Sequence, residues 1–136
     1  MSRVGASLEH VVGVSESLIC SRAFEFACRT FKLSERLWSR GPAARHIASQ
    51  LMRCGTSIGA NAEEAQDAQT KPDFIAKLSV SRKESREVLF WLRLALEAAV
   101  VTADEIEWEL NEARQLRAMI IGAIKTAQSS SQRGRP

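Results

Sequence analysis

Apolar residues recur every three or four positions along most of the chain, the spacing that puts them on one face of a 3.6-residue helix. A first helix is expected from about Leu18 to Ser39, with a seam of Phe24, Cys28, Phe31, Glu35 and Trp38 and with Ala27 and Leu37 beside it. Gly41-Pro42 ends it, because glycine accepts a left-handed cap and proline cannot continue the hydrogen-bond ladder. A second helix covers roughly Ala43 to Ala68 along Ile47, Leu51, Cys54, Ile58, Asn61 and Ala65. Thr70-Lys71-Pro72-Asp73 then supplies a cap, a first-turn proline and an early acid. The third helix follows Phe74, Leu78, Ser81, Ser85, Val88, Leu92, Ala95 and Ala99, widened by Leu89, Trp91 and Leu96. Thr102-Ala103-Asp104-Glu105 starts a fourth, through Ile106, Leu110, Ala113, Arg117, Ile120, Ile124 and Ala127. Arg117 interrupts that seam, so the face either broadens to Leu116 and Ile121 or meets a partner.

No period-two run competes, so strands are not expected. Four long helices with short connections predict an all-α, up-down-up-down antiparallel four-helix bundle. The expected organisation is residues 1–17 as a flexible arm or short extra turn, 18–128 as the bundle and 129–136 as a disordered tail.

Two features of the second helix stand out. Gly55 and Gly59 each cost about 1 kcal/mol of helix propensity relative to alanine. Together with Ser57 and Ala60 they leave little bulk, which suits close approach of another backbone. Asn61 occupies a seam position where a leucine would pack, so it is expected to hydrogen-bond across the bundle and set register. Glu64, one turn on, is expected to join it or to pair with a neighbouring helix. Ser81 and Ser85 are small enough for tight packing and can bond the carbonyls of the preceding turn.

With 136 residues, 45% of them hydrophobic, the chain suits one domain with an ample core. Nothing approaches 18 continuous apolar residues and the N-terminal segment has no cleavable-signal pattern, so a cytoplasmic protein without a membrane span is expected. Three cysteines at long gaps (Cys20, Cys28, Cys54) fit reduced packing residues rather than a disulfide framework. The net charge is only +3, but it is unevenly sorted. Arg22, Arg29, Lys32, Arg36, Arg40, Arg45 and Arg53 face only Glu25 and Glu35 in their stretch, whereas Asp104 to Glu112 holds five acids and no base and the chain from Arg114 onward five bases and no acid. Either a basic surface for a polyanion or plain helix-dipole pairing accounts for such sorting.

Candidate chemistry is sparse. His10 and His46 share no ligand spacing with cysteines or carboxylates, the cysteines lack a CxxC pair, and no Glu-x-x-His motif provides a di-iron site. Ser57 has no supporting histidine, and Gly55 to Gly59 lacks the lysine of a phosphate loop. No catalytic residue, metal or cofactor is therefore expected. Lys77, Arg82, Lys83, Arg86 and Arg93 form a broken basic stripe on the third helix, interrupted by Glu84 and Glu87, and are the candidate nucleic-acid contacts. Phe26, Phe90 and Trp108 depart from the simplest core series and are candidates for contacts between subunits.

The segment RCGTSIGANAEEAQDAQTKPDFIAKLSVSRKESREVLFWLRLALEA resembles the four-helix-bundle family encoded by 23S rRNA intervening sequences. The serine-isoleucine pair, asparagine and glutamate of that family's signature fall on Ser57, Ile58, Asn61 and Glu64. Its acid-Phe step falls on Asp73-Phe74, its later motifs on Lys77-Leu78-Ser79, Lys83-Glu84 and Phe90-Trp91-Leu92. Glu63 stands where a small residue is common and Ala65 where glycine is frequent. The resemblance implies a non-enzymatic bundle that often forms a ring-like homopentamer. A similar accessory protein of diversity-generating retroelements uses a basic surface to bind nucleic acid and a reverse transcriptase. The expected function is thus a homo-oligomeric scaffold, pentameric by resemblance, with nonspecific RNA or DNA affinity. The alternative is a protein-binding adaptor without it.

Overall fold

The computed structural model describes the backbone of residues 14–133 and the side chains of residues 18–130. Most of the expected arm, including His10, and the last three residues lie outside the described residues. Four helices follow in order: α1 Val14–Trp38, α2 Pro42–Gln66, α3 Lys71–Glu97 and α4 Glu107–Arg133. A single 3-10 turn, Asp104–Ile106, leads into α4. Helix thus extends over residues 14–17 and 129–133, assigned to the arm and tail on the sequence pattern. α1 packs on α2, α2 on α3, α3 on α4, and α4 closes back on α1, which is the all-α four-helix bundle.

The junctions behave as their residues dictate. Gly41 holds φ at +105°, a backbone only glycine adopts without strain, and lets the chain reverse before Pro42. Thr70 Oγ1 accepts from the Asp73 N–H at 3.2 Å, and Thr102 Oγ1 from the Glu105 N–H at 3.3 Å. α3 ends in a Schellman arrangement, with Val100 N–H on the Ala95 carbonyl at 2.9 Å and Ala99 N–H on that of Leu96 at 3.1 Å. Ala99 takes the left-handed position there, with φ +59°.

The seams of α2 and α3 are buried largely as expected, with Ile47, Leu51, Cys54, Ile58 and Ala65 facing Leu78, Ser81, Ser85, Val88, Leu92 and Ala95. α4 broadens past Arg117, burying Leu116 and Ile120. α1 differs. Its core face is Ile19, Ala23, Phe26, Thr30, Leu33, Ser34 and Leu37, whereas Phe24, Phe31 and Trp38 are 62%, 47% and 51% exposed. The helix carries two apolar stripes, and only one is thin enough to meet α2. A Cβ on Gly55 would lie 2.9 Å from Thr30 Cβ, and one on Gly59 3.3 Å from the Ala23 carbonyl oxygen. Phenylalanines at the Ala23 and Thr30 positions would hold the two backbones apart. Phe26, expected at a subunit contact, is instead fully buried and stacks on Trp108, with ring centroids 6.1 Å apart.

Candidate nucleic-acid interface and its polar surroundings

Asn61 does not cross the bundle. It is only half-buried, and its amide nitrogen donates to the carbonyl and hydroxyl of Ser57, one turn back in the same helix, at 2.9 and 3.0 Å. Ala62 takes the buried place beside it. The seam drifts because a 3.6-residue helix rotates relative to a strict three-four alternation. Glu64 is exposed and receives the Lys77 ammonium at 3.3 Å, so the Asn61–Glu64 polar network expected from the sequence is two separate contacts. Hydroxyls bridge helices instead. Ser34 donates to the Ala48 carbonyl at 3.0 Å, tying α1 to α2, and Ser81 to that of Ile58 at 2.8 Å, tying α2 to α3. Ser85 bonds back to the Arg82 carbonyl within α3, as its type predicts.

Besides Lys77–Glu64, ion pairs between elements centre on Arg22, Arg40 and Arg53. Arg22 forks onto Glu112 at 2.9 and 2.6 Å, which raises the arginine's pKa, and also reaches Gln115. Arg40 forks onto Glu105 with both bonds at 2.7 Å and also donates to the Val100 carbonyl. The Arg40 hydrogen bonds hold the Glu105 carboxyl below its usual range. Arg53 of α2 reaches Glu84 at 3.4 Å and contacts Glu87, whose carboxylate also accepts from Trp91 Nε1 at 3.2 Å.

Cys54 Sγ, Glu84 and Glu87 bring possible metal-ligand atoms within 4.8 Å of one another. Burial pushes the Cys54 thiol up to about 12, so it stays protonated at neutral pH, and Arg53 contacts both carboxylates. The cluster is therefore accounted for as an ion pair beside a buried thiol. An apolar cavity of about 740 Å³ opens at one end of the bundle between Ile19, Phe74, Met119 and Ala123; its one charged lining residue, Lys71, donates to Ser130 at 2.8 Å.

The α2-facing glutamates change the meaning of the basic stripe. Along the sequence Glu84 and Glu87 interrupt it; in the bundle they turn toward α2 and Arg53. Arg82, Arg86 and Arg93 recur at steps of four and seven, within about 40° of each other around α3 at 3.6 residues per turn. They lie on the opposite flank, toward α4. All three are exposed, as is Lys83, and none makes an ion pair among the described residues. Lys77 does not belong with them, since it faces α2 and Glu64.

α4 contributes to the same side. Trp108, Glu112, Gln115 and Met119 contact α1 through Phe26 and Arg22, which turns Arg114, Arg117 and Lys125 toward α3 and the outer surface. These bases also lack carboxylate partners among the described residues. The buried Arg117 Nε has no hydrogen-bond partner there. The sequence pattern marks neither Arg114 nor Lys125 as a contact, and marks Arg117 only as a break in the seam where the face broadens or meets a partner. Their signal was the acid-free run after Glu112, but only the packing places that run beside Arg82 and Arg86.

The known proteins that resemble this chain bear on the same bundle. A solved protein of unknown function from the S23 ribosomal protein family of Bacteroides thetaiotaomicron superposes with a TM-score of 0.77 at 32% identity, covering 82% of this chain and 99% of its own. No curated protein matches. Neither that neighbour's description nor the matching family's names an enzymatic activity, and no helix among the described residues is long and apolar enough to cross a membrane. The family model for 23S rRNA-intervening sequence proteins matches residues 15–122, and with four helices in the same span the chain belongs to that family.

Proposed function

We propose that this protein is a non-enzymatic, cytoplasmic homo-oligomeric scaffold, pentameric by family resemblance, whose α3/α4 side holds the phosphate backbone of RNA or DNA without sequence preference. The observation that carries the reading is the sorting of charge: Arg82, Arg86, Arg93, Arg114, Arg117 and Lys125 share one side, and the carboxylates beside its middle are turned away, leaving the exposed Glu97 and Glu107 at the end where α3 meets α4. Glu84 and Glu87 are drawn to Arg53, and Glu112 to Arg22. Unneutralised guanidinium groups attract phosphates by releasing condensed counterions, a mechanism that needs repeated charge rather than one special residue. No base-reading element accompanies them, so affinity rather than sequence discrimination is the expected outcome. Repetition of the side around an assembly would multiply a weak patch.

The test is a salt series with single- and double-stranded probes. Wild-type affinity should fall steeply as salt rises, with a log–log slope near −0.9 per neutralised phosphate for duplex DNA. Arg82→Ala/Arg86→Ala should flatten the slope by about 2 units, one for each phosphate left unneutralised. Lys77→Ala should leave it unchanged, because that ammonium already has Glu64. Absence of binding at low salt removes the nucleic-acid component. The protein-binding adaptor then stands, and nuclease-resistant co-purification of a specific partner would identify it.

A further inference from the structure

Arg117 occupies a place that the packing of α4 would give to an aliphatic side chain. It interrupts the apolar seam, is partly buried, and keeps a buried Nε without a hydrogen-bond partner among the described residues. A buried N–H left unsatisfied costs about 1–3 kcal/mol, and such a group in a folded protein calls for a functional reason.

The register of α3 against α4 shows what surrounds it. Lys71 Nζ donates to Ser130 at 2.8 Å near one end of the pair, and the chain turns from Glu97 to Asp104 at the other. Both ends give the same antiparallel alignment, which sets Arg117 level with Glu84 and Arg114 level with Glu87. Those carboxylates turn toward Arg53 of α2, so the α3 side chains that flank Arg117 and Arg114 toward α4 are Arg82 and Arg86. The four arginines fall within about 7.5 Å along the helix axes, on helices of a kind that pack about 8–10 Å apart. None has a carboxylate in ion-pair distance among the described residues. Arg82 and Arg86 also stand four apart on one helix, the spacing at which like charges repel. Arg93 lies beyond the cluster, with the exposed Glu97 one turn on and Glu107 level with Leu94.

From these observations we infer that Arg82, Arg86, Arg114 and Arg117 form a discrete anion site at the middle of the α3/α4 side, for a phosphate group of several negative charges: the triphosphate end of a nucleotide or of a nucleic-acid strand. This rests on the reading of that side as a phosphate-binding one and adds the class of group held at its centre. A backbone phosphodiester carries a single charge, and its neighbours follow at intervals along the strand. A triphosphate gathers several charges into the space that the four guanidinium groups span, and it relieves their mutual repulsion. Guanidinium forks match phosphate oxygens with paired, charge-assisted hydrogen bonds. Arg117, alone of the four in being partly buried, loses least side-chain freedom on binding, so affinity depends on it most.

Calorimetry on the full chain at low salt, with sodium tripolyphosphate as the probe, tests the site. Wild type should show a single saturable site per chain. Arg117→Leu should weaken it by about tenfold or more, the loss of a hydrogen bond between charged groups. Arg93→Ala removes the same charge outside the cluster and should weaken it by less than about threefold. Leucine restores the apolar seam, so Arg117→Leu should keep the wild-type helical circular dichroism and melt no lower. No saturable binding, or equal affinity of Arg117→Leu and wild type, overturns the site, and the strand-holding side still stands if the duplex salt slope persists. A wild type that holds tripolyphosphate but no duplex keeps the site and removes the strand-holding role. Two RNAs of one sequence separate the sources of the ligand. Preference for a 5′-triphosphate over a 5′-hydroxyl end assigns the site to a strand terminus, and equal affinity for both assigns it to a free nucleotide.

Discussion

Ala99 holds a left-handed backbone where helices usually place glycine, with both Schellman hydrogen bonds made around it. Its Cβ is strained there for no gain in packing, since the residue is exposed. Ala99→Gly should therefore raise the stability of the protein by about 0.5–1 kcal/mol, read as a higher midpoint in urea with an unchanged slope. Gly55 shows the opposite logic. Alanine there would gain about 1 kcal/mol of helix propensity, yet its Cβ would overlap the Thr30 side chain on a helix that cannot retreat alone. Overpacking of this kind costs about 1–3 kcal/mol, so Gly55→Ala should destabilise on balance. The cost should largely vanish in a Thr30→Gly background, giving a coupling energy of about 1 kcal/mol or more in a double-mutant cycle. Independent, additive effects would show that the approach of α1 to α2 is not what demands the glycine. The small-residue pattern predicted that approach from the sequence; the partner, Thr30, could not be read there. Asn61 was misplaced for a related reason: its spacing matched the seam, but whether a seam position is sealed depends on how far the helix has rotated by that turn.

At the scale of elements, the join between the end of α1 and the start of α4 depends on one fork of hydrogen bonds. Arg40 grips Glu105, Arg36 approaches the same carboxylate at 3.6 Å, and the 3-10 turn is held against α1. Glu105 has its pKa lowered in the folded protein, chiefly by the Arg40 hydrogen bonds. The stabilisation is therefore complete above the ordinary carboxylate range and fades as pH falls through that range toward the lowered folded value. Glu105→Gln should lose about 1 kcal/mol at neutral pH, a modest figure because the pair is partly solvated. The gap between wild type and variant should narrow as acidification carries the pH below the ordinary carboxylate range, and a gap independent of pH would point to poorer packing instead. The capping threonines Thr70 and Thr102 were visible in the sequence, as were the glycine and proline that separate α1 from α2, because such signals act over three or four residues. Arg40 and Glu105 are 65 positions apart, and no local pattern connects them.

For the whole molecule, the bundle divides its surface into sides of different character. Phe24, Phe31 and Trp38 form an exposed apolar stripe along α1, Val80, Phe90 and Leu94 another on α3, and the side between α3 and α4 is rich in bases. If the basic side works as proposed, a short duplex should bind with the salt slope of a single basic side, and a long one should bind more tightly where several copies engage it.

Fold class was legible because it follows from periodicity: 3.6-residue apolar spacing, caps and short connections leave antiparallel helices as the way to bury those faces. The family resemblance was legible because its motif residues lie close together in the chain. Which of the two stripes on α1 entered the core was a tertiary decision, taken by the narrow approach of Gly55 and Gly59 to Thr30 and Ala23. The sequence also showed that acids interrupt the basic stripe of α3. Only the packing turned Glu84 and Glu87 toward Arg53, leaving the arginines of α3 beside those of α4. Helix periodicity is local and written in consecutive residues, whereas charge neutralisation depends on which side chains from distant helices come within a few ångströms.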